Sequence, residues 1–284
     1  MIVEQSIEKT RKTIRGWRKQ GESVGLVPTM GYFHDGHLQL MKTSVRRTDK
    51  TIVSLFVNPT QFGSGEDLEV YPTDFEGDCE KAGNIDVDLL FCPNSTKVYC
   101  LGHKTVVTVV DLTQGLCGVD RPVHFTGVAT VVSKLFNMIR PDYAFFGEKD
   151  FQQLRVIQQL ADDLNFEVSI VGVPIVREAD GLAMSSRNAY LSSSERKEAL
   201  VLYKALTLIR DEALDPNRNN KSAELLQLGK SLIGDSSICT IDYLSIVDEL
   251  TLQPQPDVKD RCRILGSIRV NERIRLIDNL PLYE

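Results

Sequence analysis

Two of the four histidines in this 284-residue chain stand three positions apart, at His34 and His37, with Gly36 between them. An apolar segment of strand length precedes them and an apolar-periodic segment follows, which indicates a strand, a tight turn and a helix. Free amides at a helix start attract phosphate, and a histidine beside a phosphate can donate a hydrogen bond to it. We therefore predict a nucleotide-phosphate site over residues 28–37. Two histidines that only cap the helix or pack against it are the less favoured alternative.

A second polar segment, residues 58–63, directly follows a β-branched run of strand length. It contains Asn58 and Gln61. Side-chain amides both donate and accept hydrogen bonds, so they suit a substrate that carries hydroxyl and carboxylate groups. A turn stabilised by the Asn-Pro pair explains the segment equally well.

A third segment, residues 146–153, combines a strand end with a helix start. Gly147 ends the strand, and Lys149 stands where it can reach a phosphate as a mobile cation. Gln153, one turn into the helix, should face the same cleft. Asp150 is also a suitable N-cap, so a capped helix with solvated charges is the alternative.

A fourth segment, residues 184–187, follows a loop that contains Gly181. Its two serine hydroxyls and its arginine predict a mobile phosphate clamp, of the type that closes over a triphosphate and excludes water. A Ser-Ser-Arg run is common by chance. Its place just past the last strand of the nucleotide-binding half strengthens the prediction.

Several other polar residues are weaker candidates. Structural and functional roles are equally balanced for Arg121 and His124. Glu76 and Asp78 could assist a metal ion, but a solvated helix face is the favoured interpretation. His103 has no supporting context and is expected at the surface.

The order of apolar segments predicts an α/β fold. A Rossmann-like parallel sheet over residues 1–176 would bind the nucleotide, and a smaller C-terminal α+β domain over residues 177–284 would act as its lid. Strands are predicted at 23–27, 51–57, 87–91, 105–110, 143–146, 168–173, 241–247, 262–270 and 274–277. Helices are predicted at 4–20, 36–48, 74–83, 127–139, 150–164, 195–213 and 221–233, with an exposed loop at 215–220.

Composition narrows the class of protein. The chain is 42% hydrophobic and 25% charged with a net charge of −6, which argues against a general nucleic-acid surface. There is no run of about 18 apolar residues and no signal-peptide core, so we expect a cytoplasmic protein without a membrane span. The six cysteines show no C-x-x-C spacing and are expected to be reduced.

Together the motifs resemble the pantothenate synthetase (pantoate–β-alanine ligase) family of the nucleotidyl-transferase superfamily. The resemblance rests on residues 27–31 with His34-x-Gly-His37, and on residues 56–62, 146–150, 180–188 and 275–279. The motifs occur in the family's order, and they span nearly the whole chain.

The resemblance implies a two-step reaction. ATP and (R)-pantoate would form pantoyl adenylate and release pyrophosphate, and β-alanine would then attack the adenylate to give pantothenate and AMP. It also implies Mg²⁺ with ATP and a homodimer. No metal ligand and no base for the β-alanine amine are assigned.

The same resemblance implies roles for individual residues. The catalytic group would be His37, His34, Lys149 and Arg187, with His37 as the candidate proton donor. Gln61 would bind pantoate and β-alanine, and Gln153 would bind pantoate. The residues that would contact ATP are Met30, Gly31, Tyr32, Phe33, His34, Asp35, Gly36, His37, Gly147, Glu148, Lys149, Asp150, Val176, Met184, Ser185, Ser186 and Arg187.

The chain departs from the family's usual pattern at Phe33, Thr73, Val123 and Thr126, none of which is a predicted catalytic group. The changes at Thr73 and Thr126 could weaken subunit or substrate contacts. Two other functions stay open: a nucleotidyltransferase that keeps the nucleotide on its product, and a nucleotide-binding sensor without turnover. The contexts of Gln61 and Gln153 argue against the first, and the intact histidine, lysine and arginine positions argue against the second.

Overall fold

A six-stranded, fully parallel sheet forms the larger part of the molecule in the computed structural model, which describes residues 1–63, 68–216 and 221–283. Its strands are β1 Ile2–Glu4, β2 Val24–Thr29, β3 Lys50–Leu55, β4 Leu89–Phe91, β5 Tyr143–Gly147 and β6 Ser169–Val173. Their spatial order is β1-β4-β3-β2-β5-β6. The order reverses between β2 and β5, and the carboxyl ends of strands at such a reversal are where ligands bind.

Helices cover both faces of this sheet. They are α1 Ile7–Lys19, α2 Asp35–Arg47, α3 Phe75–Gly83, α4 Ser95–Val98, α5 Cys117–Asp120, α6 His124–Ile139 and α7 Phe151–Asp163. Alternate residues of the central strands enter different cores. Leu26 and Ile52 belong to one cluster, whereas their neighbours Val27 and Val53 belong to another. This two-sided burial is why the strands are continuously apolar.

The C-terminal part is an antiparallel sheet covered by helices. Its elements are α8 Ser193–Ala199, α9 Val201–Leu214, α10 Ser222–Gly234, β7 Cys239–Asp248, β8 Cys262–Val270 and β9 Ile274–Pro281, with strand order β7-β8-β9. It has its own apolar core, which includes Leu206 and Ile268. Val247 and Leu265 of its sheet instead join the core of the larger sheet, so apolar packing connects the two parts.

The fold class is confirmed, with local differences from the sequence predictions. Residues 105–110 form no strand in the described part of the chain, so the predicted strand is wrong. The Val107 amide donates to Thr130 Oγ1 at 2.9 Å instead. The short β1 was missed, and the helix predicted over 195–213 is divided at Leu200. Residues 217–220 of the predicted exposed loop lie outside the described residues.

No helix in the described ranges is long and apolar enough to cross a membrane.

Candidate active site

A cleft of about 240 Å³ opens at the carboxyl ends of β2 and β5, where the strand order reverses. It brings together most of the residues that the sequence pointed to, although they come from four separate segments. The predicted residues that line it are Met30, His34, Gly36, His37, Gln61, Gly147, Lys149, Asp150, Gln153, Val176, Met184, Ser185, Ser186 and Arg187.

Five residues predicted to contact ATP do not line the cleft. Gly31 and Tyr32 form the chain reversal after β2, with φ angles of 93° and 56°. Phe33 is buried in the core beneath α2, and Asp35 is exposed on the helix. Glu148 forms an ion pair with Arg263, at 3.6 Å. Their predicted role in ATP contact stays a prediction.

The two histidines cap the helix that they begin. His34 is the N-cap of α2, and its Nδ1 accepts from the Gly36 amide at 3.2 Å. The Nδ1 of His37 accepts from the His34 amide at 3.4 Å, and the ring centroids lie 4.1 Å apart. An Nδ1 that accepts leaves the proton of a neutral imidazole on Nε2. Capping therefore uses one nitrogen of each ring and leaves a donor for a ligand.

Both histidines are neutral near pH 7. Burial, together with the Lys149 charge, lowers the pKa of His34 to about 4. Burial and the neighbouring His34 lower the pKa of His37 to about 3. The free site thus offers two N–H donors rather than two cations, in line with the hydrogen-bonding role expected from the sequence.

A buried carboxylate holds the turn that precedes the histidines. Asp78 on α3 is 1% exposed and accepts from the amides of Tyr32 at 2.7 Å and Phe33 at 2.6 Å. Lys81 Nζ donates to the Phe33 carbonyl at 2.9 Å. Burial raises the pKa of Asp78. The interpretation of Asp78 as part of a solvated helix face is therefore wrong. Its spacing of four from the buried Ala82 was the available signal.

Gln61 is held in place at the other side of the cleft. Its Oε1 accepts from Asn58 Nδ2 at 3.2 Å, and its Nε2 donates to Met30 Sδ at 3.0 Å. Asn58 Nδ2 also donates to the Gly127 carbonyl at 3.1 Å. A Cβ at Gly127 would lie 2.4 Å from the Thr60 carbonyl oxygen, so only glycine lets α6 approach this closely.

Arg121 and His124 form the cleft wall between Gln61 and Asp150. His124 is buried, and its Nδ1 lies 3.1 Å from the Gln61 carbonyl oxygen. Arg121 donates to the same oxygen at 3.4 Å, and its second terminal nitrogen lies 3.4 Å from His124 Nε2. The structure thus places both residues at the cleft, which their sequence context left undecided.

The cationic side of the cleft begins at Lys149. Its Nζ lies 3.8 Å from the Asp150 carboxylate, and half of the Asp150 side chain is exposed. Asp150 occupies the N-cap position of α7 but its side chain makes no capping bond, so the capping interpretation is wrong. Enclosure by the cleft raises the pKa of Asp150, but nearby cations, Lys149 foremost, bring the pKa below its usual value. The carboxylate is therefore ionised.

The loop over residues 184–187 faces this cationic side. Its Met184 amide donates to the Val176 carbonyl at 2.9 Å, and the Ser185 hydroxyl accepts from the Arg187 amide at 3.3 Å. Arg196 supports the base of the loop through ion pairs with Glu178 at 2.7 Å and Asp180 at 2.8 Å. The loop is thus tied to α8 and to the segment that follows β6.

A smaller cavity of about 50 Å³ adjoins the cleft and shares part of its lining. Lys149, Gln153 and Arg187 line both. On its far side the smaller cavity is bounded by residues 276–279 of β9. The C-terminal sheet therefore lies directly behind the cationic side of the cleft.

Comparison with known proteins decides the family. A family model described as pantoate–β-alanine ligase matches residues 2–281. The chain belongs to the pantoate–β-alanine ligase family. As a member it is an enzyme, a ligase of pantothenate biosynthesis, and the class of reaction expected from the sequence is confirmed.

Relatives match over their full length. Pantothenate synthetases from Heliobacterium modesticaldum and Desulfotalea psychrophila are 49% and 48% identical to this ligase, and each alignment covers at least 98% of both chains. A crystal structure of pantothenate synthetase from Thermus thermophilus has a TM-score of 0.94 at 44% identity, with both chains fully covered. The ligase from Francisella tularensis, complexed with β,γ ATP and β-alanine, has a TM-score of 0.81 at 31% identity. That alignment covers 99% of this chain and 98% of that one.

Proposed function

We propose that this ligase condenses (R)-pantoate with β-alanine through a pantoyl-adenylate intermediate and releases pyrophosphate and AMP. One observation carries the proposal. A single cleft is lined by a helix N-terminus of the kind that binds phosphate, by Lys149 and Arg187 on the opposite side, and by two side-chain amides. The amides are those of Gln61 and Gln153. That combination suits a triphosphate next to a small acid with hydroxyl groups.

ATP is proposed to lie between the histidine turn and the cationic side. The Nε2 donors of His34 and His37, which the capping bonds leave available, would contact phosphate oxygens from one direction. Lys149 and Arg187 would approach from the other. Residues 177–284 would form the lid, and the segment 184–187 is the part of it that faces the cleft. The Francisella relative, complexed with β,γ ATP and β-alanine, supports the binding of these two ligands.

In the first step a pantoate carboxylate oxygen would attack the α-phosphorus, and the bond to pyrophosphate would break. Two anions repel, so Lys149 and Arg187 would offset the charge. His37, neutral in the free site, would donate its Nε2 hydrogen bond to an oxygen on which charge develops. Gln61 and Gln153 would orient pantoate and lower the entropic barrier.

In the second step the free amine of β-alanine would attack the carbonyl carbon of the adenylate. The bond to the AMP oxygen would break and the nitrogen would lose one proton to solvent, which gives the amide of pantothenate. Gln61, the residue proposed to bind both acids, lies within a preformed network with Asn58 and Met30. It would hold the second acid without a rearrangement of its own side chain.

The residues of the cleft fit Mg²⁺ that enters with ATP. Among the described residues, Asp150 is the one carboxylate lining the cleft, and no cluster of three or more ligating side chains is present. Magnesium in such sites is bound by one or two carboxylates together with substrate phosphates. Asp150 would hold the ion, which neutralises phosphate charge when bound.

We also propose that the enzyme is a homodimer. Five large apolar side chains are exposed between residues 101 and 123: Leu101, Val106, Val110, Val119 and Val123. Two of them, Val106 and Val110, lie on residues 105–110, which join neither sheet in the described part of the chain. An exposed apolar surface of this kind is typical of a contact with a second copy. Val106→Asp should give a monomer in light scattering at concentrations where the unmodified chain is a dimer. A monomeric unmodified chain would contradict the proposal.

The reaction is tested with purified protein, ATP, pantoate, β-alanine and Mg²⁺, with the Thermus relative assayed in parallel. We expect AMP and pyrophosphate in equal amounts, and pyrophosphate without free AMP in a single turnover that lacks β-alanine. Pyrophosphate without AMP in the complete mixture would indicate a nucleotidyltransferase. ATP binding without any turnover would indicate a sensor.

A further inference from the structure

Two adjacent residues of β9 contact two different segments of the cleft wall. Asn279 Nδ2 donates to the carbonyl oxygens of Glu148 at 2.8 Å and Lys149 at 3.1 Å. Asp278 accepts from both terminal nitrogens of Arg177, at 2.6 and 2.9 Å. The first contact holds the turn that carries Lys149, and the second holds the base of the loop that carries residues 184–187.

We infer that Asp278 and Asn279 are positioning residues for the ligase reaction, which set the placement of Lys149 relative to the 184–187 loop. This inference rests on the proposed function, in which both segments bind the phosphates of ATP. Neither residue lines the larger cleft, so both would act through their partners. The C-terminal sheet is then the support of the cationic side as well as part of a lid.

The strand geometry explains how one dipeptide reaches two segments. Successive side chains of a strand point to opposite faces. Ile277, two residues before Asn279, packs against the core of the larger sheet, whereas Leu276 and Leu280, two residues to either side of Asp278, belong to the C-terminal core. Asn279 thus shares the face turned toward the larger sheet, and Asp278 shares the other.

The Asn279 amide has one orientation that satisfies all its groups. Its Oδ1 accepts from Arg263 Nη1 at 2.7 Å, which leaves both amide hydrogens for the two backbone carbonyls. Arg263 is 5% exposed and is itself fixed by Glu249 at 2.6 Å and by the face of Phe151 at 4.1 Å. Asn279 is 1% exposed, so water cannot replace it as donor.

The Asp278 contact is transmitted along the loop. Arg177 Nη1 also donates to the Gly181 carbonyl at 3.1 Å, and its guanidinium lies 4.0 Å from the centre of the Tyr203 ring. Arg177 and Ala183 form a bridge that closes the loop base. The residue that follows, Met184, lines the cleft. A shift of Asp278 would therefore move residues 184–187, which form the predicted phosphate clamp.

Asn279→Asp tests the first contact, because it keeps the shape and the acceptor for Arg263 but replaces the donors with a carboxylate oxygen. We expect kcat/KM for ATP to fall roughly 10- to 100-fold, as for a misplaced reacting group. Asn279→Ala removes the donors without adding charge, and its kcat/KM for ATP should fall by a factor in the same range. Asn271→Asp is the matched control, because at the exposed turn of the same hairpin it also removes an amide donor, whose partner Glu195 does not line the cleft. Its kcat/KM for ATP should be unchanged.

A double-mutant cycle with Lys149→Met separates positioning from general destabilisation. If Asn279 acts through Lys149, Asn279→Asp should cost less than about threefold in the Lys149→Met background. A full additional 10- to 100-fold loss in that background would overturn the inference, as would wild-type kcat/KM in both Asn279 variants. For the second contact, Asp278→Asn should likewise be non-additive with Arg187→Ala, and full additivity there would overturn the Asp278 role.

The unmodified enzyme is assayed first for AMP release. If it releases none, the proposed function fails, and the cycle is run on ATP affinity by calorimetry with the same expected non-additivity. If the unmodified enzyme is active and the cycles are additive, the positioning inference fails by itself.

Discussion

The two sides of the cleft are built in different ways. On the histidine side, the groups that face the ligand are fixed by their neighbours, because His34 and His37 cap α2 through bonds within residues 34–37. On the cationic side, the carbonyl oxygen of Lys149 accepts from Asn279, which is 130 positions away in the chain. Contacts within a motif can be predicted from its sequence, whereas the support that a distant strand gives to a predicted residue such as Lys149 cannot.

The contrast has one exception, since the histidine turn also has a distant support in Asp78. That support holds the backbone before the histidines and leaves the rings to their own capping bonds. Substitutions on each side of the cleft test how far that side depends on local and on distant contacts.

The largest effect is expected from His37→Asn. The asparagine Oδ1 can replace Nδ1 as acceptor for the His34 amide, but no donor remains in the position of Nε2. The adenylation rate should fall by roughly 10²- to 10⁴-fold, the range of positioned proton donors and acceptors, while the melting temperature changes little. Rapid-quench measurement of pyrophosphate release checks the rate. Wild-type turnover in a folded variant would show that the histidine only caps the helix.

Lys149→Met is the corresponding change on the cationic side. It keeps most of the side-chain length and removes the charge, so kcat/KM for ATP should fall by about 100-fold. Because the lysine contributes to lowering the pKa of His34, that pKa should rise in the variant. NMR titration of the His34 ring measures it. An unchanged or lower pKa of His34 would contradict the electrostatic coupling between the two sides.

Asp78→Asn tests the distant support of the histidine turn. One of the two amides of Tyr32 and Phe33 would face an NH₂ group instead of an oxygen, which should cost about 1–3 kcal/mol of stability. Activity should fall by only about tenfold, since the capping bonds of the histidines remain. Asp74→Asn is the matched control on the same helix, because asparagine is an equally good N-cap there. Equal urea midpoints for the two variants would show that the hydrogen bonds of Asp78 do not contribute to stability.

The smallest expected effect at neutral pH is on stability, and it comes from the charge state of the two histidines. Their folded-state pKa values of about 4 and about 3 lie below the ordinary value of 6.5, so between these values the unfolded chain binds more protons. Stability should therefore fall as the pH is lowered from about 6.5 toward 4. The double variant His34→Asn, His37→Asn should show a shallower fall in urea unfolding. An identical pH dependence in both proteins would refute the low pKa values.

Much of the site was predictable because strand and helix periods are written into the sequence. Polar segments after β2, β3 and β5 were expected at one edge of a parallel sheet, and the cleft lies there. Asp150 and the segment 105–110 were misjudged for a common reason. N-cap propensity and β-branched alternation describe what a segment can form by itself. Asp150 instead lies beside the cations of the cleft, and residues 105–110 have no neighbouring strand among the described residues.

The sequence by itself determined the parallel sheet, the helix that starts at the paired histidines, and the set of polar groups at the strand ends. These follow from contacts between residues one to four positions apart and from periodic burial. Only the tertiary structure decided that both imidazoles are neutral, that Asp78 supports their turn, and that Asp278 and Asn279 hold the opposite side. Burial and long-range hydrogen bonds depend on which distant segments pack together, and no local pattern encodes that choice.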